Sequence, residues 1–444
     1  MKSLTWSEIS QHNSTQDCWI VVDGGVYDVT EWVAKHPGGE LLAILAGEDA
    51  SAMYHSSHLR DIAPLLEKYR IGSVQDYAPD FEFINDKFLI ILKQRVYDFF
   101  NTSGIDYRSS TRNRQSIAWT AILLFICWGC MYLLPPWGLL ASIIMGLATC
   151  SLIGSFGHER IHGNLAEPTK SQGVFLRHTG DVLWGLFIPL MPERFFQYEH
   201  IKHHLYSMNP QQDYDVFALK ELVRLSPELP ARRYQAFQHY YAPLVYANYI
   251  FLQILGGYTS SFFEKRDLLA DKGVLRSIIV MSTVAIIFHI AIPIYLTNVW
   301  WVLLCTSIYF FTWQIAIYLT SGVPHMTNAS AIREKHASWA RHVCCVTKNL
   351  KCGNRFYDWL TGGLNYHLVH HLLPSVPREH LPAVSPIVEK TCAEFGYPFH
   401  TYTSFWRYVR DHYRFLRELG QAERPITLID YVSGGAGGEM NKTA

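Results

Sequence analysis

The chain has 444 residues, too many for one small domain, and nearly half of them are hydrophobic while the formal charge sums to zero. No tract of basic residues resembles a nucleic-acid site, so no nucleic-acid partner is expected, and the nine cysteines show no disulfide pattern. The neutrality is uneven: residues 1–86 hold 14 acidic and 5 basic side chains, a net of −9, which leaves 24 acidic (38 − 14) and 33 basic (38 − 5) for the rest, so an acidic module is joined to a basic one.

Residues 1–75 read as a small soluble α+β domain. Met1–Ser10 contains Glu8 and no apolar run, so no signal peptide is expected and the N-terminus is placed in the cytosol. Trp19-Ile-Val-Val-Asp23 is a strand, and the Gly-Gly of Asp23-Gly-Gly-Val-Tyr-Asp28 marks a hairpin turn. His36-Pro-Gly-Gly39, Ala46-Gly-Glu-Asp-Ala50 and Tyr54-His-Ser-Ser-His58 follow. His36 and His58, 22 positions apart, can hold one haem iron from opposite faces; His36-Pro-Gly-Gly39 also reads as a mere turn, and His55 competes for the second role. Trp19–Gly72 resembles the cytochrome b5 domain. The resemblance implies a haem b held by His36 and His58, since His55 falls too soon after the motif. Such ligation leaves no open position on the iron, so the haem passes single electrons and binds no oxygen.

Residues 76–107 are expected to comprise a polar linker, Asp76–Asp86, and an amphipathic helix, Lys87–Asn101. Phe88, Ile91, Leu92, Val96 and Phe99 share one face of it, which would lie on the membrane surface or, in the alternative reading, pack on the soluble domain. Residues 108–425 form an all-α integral membrane domain with a cytosolic cap of histidine boxes, and residues 426–444, with Ser433-Gly-Gly-Ala-Gly-Gly438, a flexible tail. Gln115–His158 and Ser277–Ile332 contain no Asp, Glu, Lys or Arg. Pro135-Pro-Trp137 splits the first and Asn298 the second, which gives four transmembrane helices at about 116–134, 137–157, 277–297 and 299–321. Cys127 and Cys130 fall inside the first and read as helix filler. Arg108, Arg112 and Arg114 before one hairpin, Lys265, Arg266, Lys272 and Arg276 before the other, and Arg333 and Lys335 after it place these ends in the cytosol. Both chain ends then share the cytosolic side. Tyr240–Phe263 is also uncharged; parity puts it at the interface or paired with another span.

Three histidine boxes and one outlier occupy the cytosolic ends: His158-Glu-Arg-Ile-His162, His200-Ile-Lys-His203-His204, His367-Leu-Val-His370-His371, and His325 in Ser321-Gly-Val-Pro-His325. On a helix, residues i, i+3 and i+4 share a face, so each box aims two or three imidazoles at one point. Nine are too many for one ion and suit a pair of ions, with iron the leading candidate. Asp213 and Asp215 either orient ligand imidazoles or are solvated loop acids. His289 reads as packing, and His178 and His342 have no box spacing.

A di-iron centre with a tethered one-electron haem implies O2 activation. Oxygen takes four electrons to become two waters; two come singly through the haem and two from a C–H pair, leaving a double bond. His158–His162, Gln197–Asp215, Pro324-His325 and Phe356–Arg378 carry a resemblance to the membrane fatty-acyl desaturases with an N-terminal cytochrome b5 domain, the front-end type included. It implies an oxidoreductase acting on a lipid acyl chain of an acyl-CoA, phospholipid or sphingolipid. It also implies NADH-derived electrons from cytochrome b5 reductase, and a multi-pass location in the endoplasmic reticulum bilayer. One departure stands out: the front-end branch usually has Gln where this chain has His367. A lipid or sphingolipid hydroxylase fits the same ligands. A non-catalytic haem electron carrier would have broken boxes, and all three are intact. A zinc hydrolase would have no use for a fused electron-transfer domain.

Overall fold

The computed structural model describes residues 2–83, 86–108, 110–165, 182–187, 193–249, 272–327 and 338–421. Its N-terminal part is a five-stranded sheet in the order β1-β5-β4-β3-β2, with β1 Lys2–Leu4, β2 Asn13–Ser14, β3 Asp17–Val22, β4 Gly25–Asp28 and β5 Arg70–Val74. β1 runs parallel to β5 and the other pairs are antiparallel. Ile20, Val21 and Val22 favour an extended chain and are buried there. The β3–β4 turn falls on Asp23-Gly24, both with positive φ (50° and 78°), one residue earlier than the Gly-Gly pair suggested. Helix α1, Ser51–Ser57, closes this domain and ends at His58.

Helix α2, Lys87–Ser103, corrects one expectation. Its apolar face, with Phe88, Leu92, Val96 and Phe100, is buried inside the protein rather than laid on a membrane. It packs on a later helix, Leu381–Phe395, and Arg95 pairs there with Glu394 at 2.7 Å. The amphipathic pattern says only that one face leaves water; it does not say whether lipid or protein receives it.

Among the described residues, four helices are long and apolar enough to cross a membrane: α3 Thr111–Leu133, α4 Pro135–Ile161, α5 Ile279–Leu296 and α6 Val299–His325. α4 packs against both α3 and α6. Trp137 and Trp300, near the α3–α4 and α5–α6 connectors, are exposed, as aromatic side chains at a lipid–water boundary are. α4 and α6 run several residues past the expected ends. Each continues through a π-helical turn, Ile153–His158 and Tyr318–Gly322, straight into a histidine site. Such turns rotate the side chains that follow and recur at functional sites. Of Tyr240–Phe263, only residues 240–249 are described; the tail 426–444 and His178 lie outside the described residues.

The loop before the third box is locked to α4 by backbone contact. A methyl group on Gly154 would lie 2.1 Å from the Thr361 carbonyl oxygen, and one on Gly362 (φ +61°) would lie 2.3 Å from the Ser155 nitrogen. Gly154→Ala is therefore expected to cost about 1–3 kcal/mol. A lowered thermal midpoint, with metal content falling alongside it, is the expected measurement.

Candidate metal centre and haem site

Two histidines of the N-terminal domain face each other. The His36 and His58 ring centroids are 6.3 Å apart with planes at 75°. Metal–imidazole bonds of about 2.0 Å put two rings on opposite sides of one ion at roughly this separation. His58 Nδ1 donates to the Tyr54 carbonyl at 2.8 Å, which leaves Nε2 free. Burial pushes His58 down to about 4, so the ring is neutral, the form that ligates. His55 is engaged elsewhere: its Nε2 lies 2.8 Å from Asp23 Oδ2 and its ring stacks on Phe83. The pair that faces is His36 with His58, and its spacing fits a haem.

The second box lies on α7, Glu193–Tyr206, and the third on α9, His367–Leu372, which packs on α8, Trp339–Val346. His158 ends the π turn of α4, His162 follows one turn on, and His325 ends α6. All nine box and outlier histidines converge, in two groups. His158, His162, His200, His204 and His370 form one, and His203, His325, His367 and His371 the other; within each, the donor nitrogens lie within 4.8 Å of one another. Two helices serve both groups, because neighbouring residues on a helix point about 100° apart. α7 gives His200 and His204 to the first and His203 to the second, while α9 gives His370 to the first and His367 and His371 to the second.

Hydrogen bonds among the rings do not account for this packing. His200 Nε2 lies 3.0 Å from His158 Nε2, 3.0 Å from His162 Nε2 and 2.9 Å from His204 Nε2. An imidazole nitrogen has one proton or one lone pair, so it cannot satisfy three such neighbours. In the second group His325 Nε2 is 3.1 Å from His203 Nε2 and 2.8 Å from His367 Nε2. With bonds of about 2.1 Å, ligands at right angles have nitrogens about 3.0 Å apart, and tetrahedral ones about 3.4 Å. Separations of this size are those of ligands gathered around an ion in each group.

In the second group three of the other ring nitrogens are anchored, those of His203, His325 and His371, which turns their Nε2 atoms inward. Asp213, fully buried, places both carboxylate oxygens 3.1 Å from His203 Nδ1. The Val346 carbonyl lies 3.2 Å from His325 Nδ1, and Ser207 Oγ lies 3.4 Å from His371 Nδ1. His371 Nε2 is buried and has no hydrogen-bond partner among the described residues, as a metal-facing nitrogen would. Burial holds His162 and His367 down at about 3, and His200, His204, His370 and His371 well below the ordinary value, so these rings are neutral. At His203 burial also opposes charge, yet Asp213 and then Asp215 carry it up to about 9. Asp213 thus polarises the ring it orients. Asp213→Asn removes that anionic acceptor and is expected to weaken metal retention about 10–100-fold, read as metal left after dialysis against a chelator.

An apolar cavity runs beside both groups. His158 and His200 of the first and His203 and His367 of the second reach it, among Ile153, Phe196, Trp313, Ile317, Met326 and Leu364. His289 and His342 stand apart; each bonds a backbone carbonyl, of Leu186 at 2.7 Å and Ser207 at 2.8 Å. Sequence reasoning passed over Glu159, buried inside the first box, whose Oε2 accepts the Arg378 backbone N–H at 3.0 Å. This bond ties the first box to the segment that follows the third, and its one signal was a charged residue inside a ligand motif.

Residues 136–403 match the family model described as fatty acid desaturase, and residues 5–75 that of the cytochrome b5-like heme/steroid binding domain. Acyl-lipid (8-3)-desaturase of Physcomitrium patens is 26% identical over 95% of this chain and 92% of its own length. Delta(5) fatty acid desaturase A of Dictyostelium discoideum is 26% identical over 94% of each chain. Delta(8)-fatty-acid desaturase of Helianthus annuus is 25% identical over 90% of this chain and 87% of its own.

Proposed function

Because the chain belongs to the fatty acid desaturase family and carries a cytochrome b5-like domain, we propose that it introduces a double bond into a lipid acyl chain at a di-iron centre, using O2. The observation that carries the reading is the convergence of nine histidines into groups of five and four beside one apolar cavity. His158, His162, His200, His204 and His370 would hold one iron, and His203, His325, His367 and His371 the other. The bound irons would supply oxygen activation. The chain's own part is to seat the acyl chain between Ile153, Phe196, Trp313 and Ile317, to bring one C–H pair beside both groups, and to exclude water.

His36 and His58 would hold haem b, which receives electrons from NADH through cytochrome b5 reductase. The relatives' names support acyl-lipid substrates and a front-end position for the new double bond. His367 is then a direct ligand rather than a bystander, despite the Gln usual in that branch. The four apolar helices and the basic residues at their ends support an endoplasmic reticulum membrane location with both termini cytosolic. Metal and haem analysis of the purified protein tests the cofactors: about two irons beyond one haem iron per chain are expected, and stoichiometric zinc in their place would overturn the assignment.

A further inference from the structure

Helix α7 is occupied on two sides. His200, His203 and His204 face the metal groups, while Tyr198, Lys202 and Tyr206, spaced four apart, meet the haem domain. The Lys202 ammonium pairs with Glu48 of the Ala46-Gly-Glu-Asp-Ala50 stretch, and the Tyr198 hydroxyl donates to the same carboxylate at 3.3 Å. Lys202 also lies over the Tyr198 and Tyr206 rings, 5.8 and 5.3 Å from their centroids. Beside this pair, the loop that carries one haem ligand comes within a methyl group's reach of the turn that carries one metal ligand. A methyl group on Gly163 would sit 3.6 Å from Gly38 Cα, and Gly163 directly follows His162. Further contacts flank the site: Lys93 Nζ donates to the His55 carbonyl at 3.0 Å, and Gln212 Nε2 to Asp80 at 3.2 Å.

We infer that the haem domain works from this docked position, held by Glu48 and Lys202, and that electrons enter the five-histidine group through the Gly38–Gly163 contact and His162. The inference rests on the desaturase reading for its electron source. With both groups bound, the haem held by His36 and His58 would give up one electron at each passage, ferrous to ferric, and the centre held by the histidine groups would gain it; two passages, fed by NADH, would serve each double bond. The route is two short covalent stretches on either side of one through-space gap: Gly38 is two residues from His36, and Gly163 is one residue from His162. A swinging domain would need no such matched contact. The charge division of the sequence suggests long-range, salt-sensitive docking. The structure replaces that with one largely shielded pair, its side chains only 14% and 23% exposed, within a shared apolar cluster, and shielded pairs are screened little by salt.

The test uses the intact, haem- and iron-loaded protein. A carbodiimide joins a carboxylate to an amine in direct contact, and peptide mass spectrometry should find Glu48 coupled to Lys202. Stopped-flow reoxidation of the reduced haem should slow at least tenfold in Glu48→Lys, with the haem spectrum unchanged, and recover most of its rate in Glu48→Lys with Lys202→Glu. Should Glu48→Lys lose its haem, Glu48→Gln keeps the shape and should still slow transfer several-fold. Free labelling of Lys202 by an amine reagent, or wild-type reoxidation rates in the Glu48 variants, would overturn the inference. The cross-link reports docking whether or not any lipid is desaturated, so its failure is separable from failure of the functional reading.

Discussion

His200→Ala is expected to leave no measurable product and to empty the five-histidine group, while His367→Gln keeps the fold and some iron and lowers activity without abolishing it. His200 Nε2 is the common neighbour of three other donor nitrogens, so its loss would remove a ligand that adjoins most of the group. Several kcal/mol of metal-based stabilisation then disappear, a loss on the order of a thousandfold or more in rate. His367 touches the second group through His325 alone at hydrogen-bond distance, 2.8 Å, and a glutamine carbonyl can still offer an oxygen from that side. Iron per chain and product yield, measured on both variants side by side, decide the matter. Wild-type iron in both would show that the histidine groups are not a ligand set.

His58→Ala is expected to abolish the bis-histidine haem spectrum, and His55→Ala to leave it intact. The two residues are three apart and chemically identical, yet one faces His36 and the other is committed to Asp23 and Phe83. Without a haem the chain loses its own electron donor, so product formation should fall sharply. Added free cytochrome b5 should restore part of it. A normal reduced spectrum in His58→Ala would exclude this residue as the axial ligand.

The parts of this molecule that were legible from residues alone are those where chemistry demands a spacing. The i, i+3, i+4 rhythm of the boxes, the charge-free runs on either side of Pro135 and Asn298, and His36-Pro-Gly-Gly39 each leave a local signature. What stayed hidden depends on partners distant in sequence. Nothing in the third box says that His370 joins His158 while His371 joins His203; that division depends on where the fold sets the other boxes around it. The buried face of α2 was visible but its partner, Leu381–Phe395, lies nearly 300 residues away. Lys202 carries no signal of its own inside a histidine motif, and only the docked haem domain gives it a role. Asp213 and Asp215 read alike, and burial separates them: Asp213 is fully enclosed against His203, whereas the Asp215 side chain is 42% exposed.

The most direct test of the central claim is to express the chain in a host of simple lipid content supplied with both saturated and unsaturated fatty acids, and to locate any new bond in its acyl chains by mass spectrometry. The expected product is an acyl chain lighter by two hydrogens, with one new double bond on the carboxyl side, formed only with O2 present and absent in His200→Ala. An acyl chain heavier by one oxygen, with no new double bond, would make the protein a hydroxylase and contradict the reading. Unchanged lipids, from protein that carries both its irons and its haem, would contradict it as well.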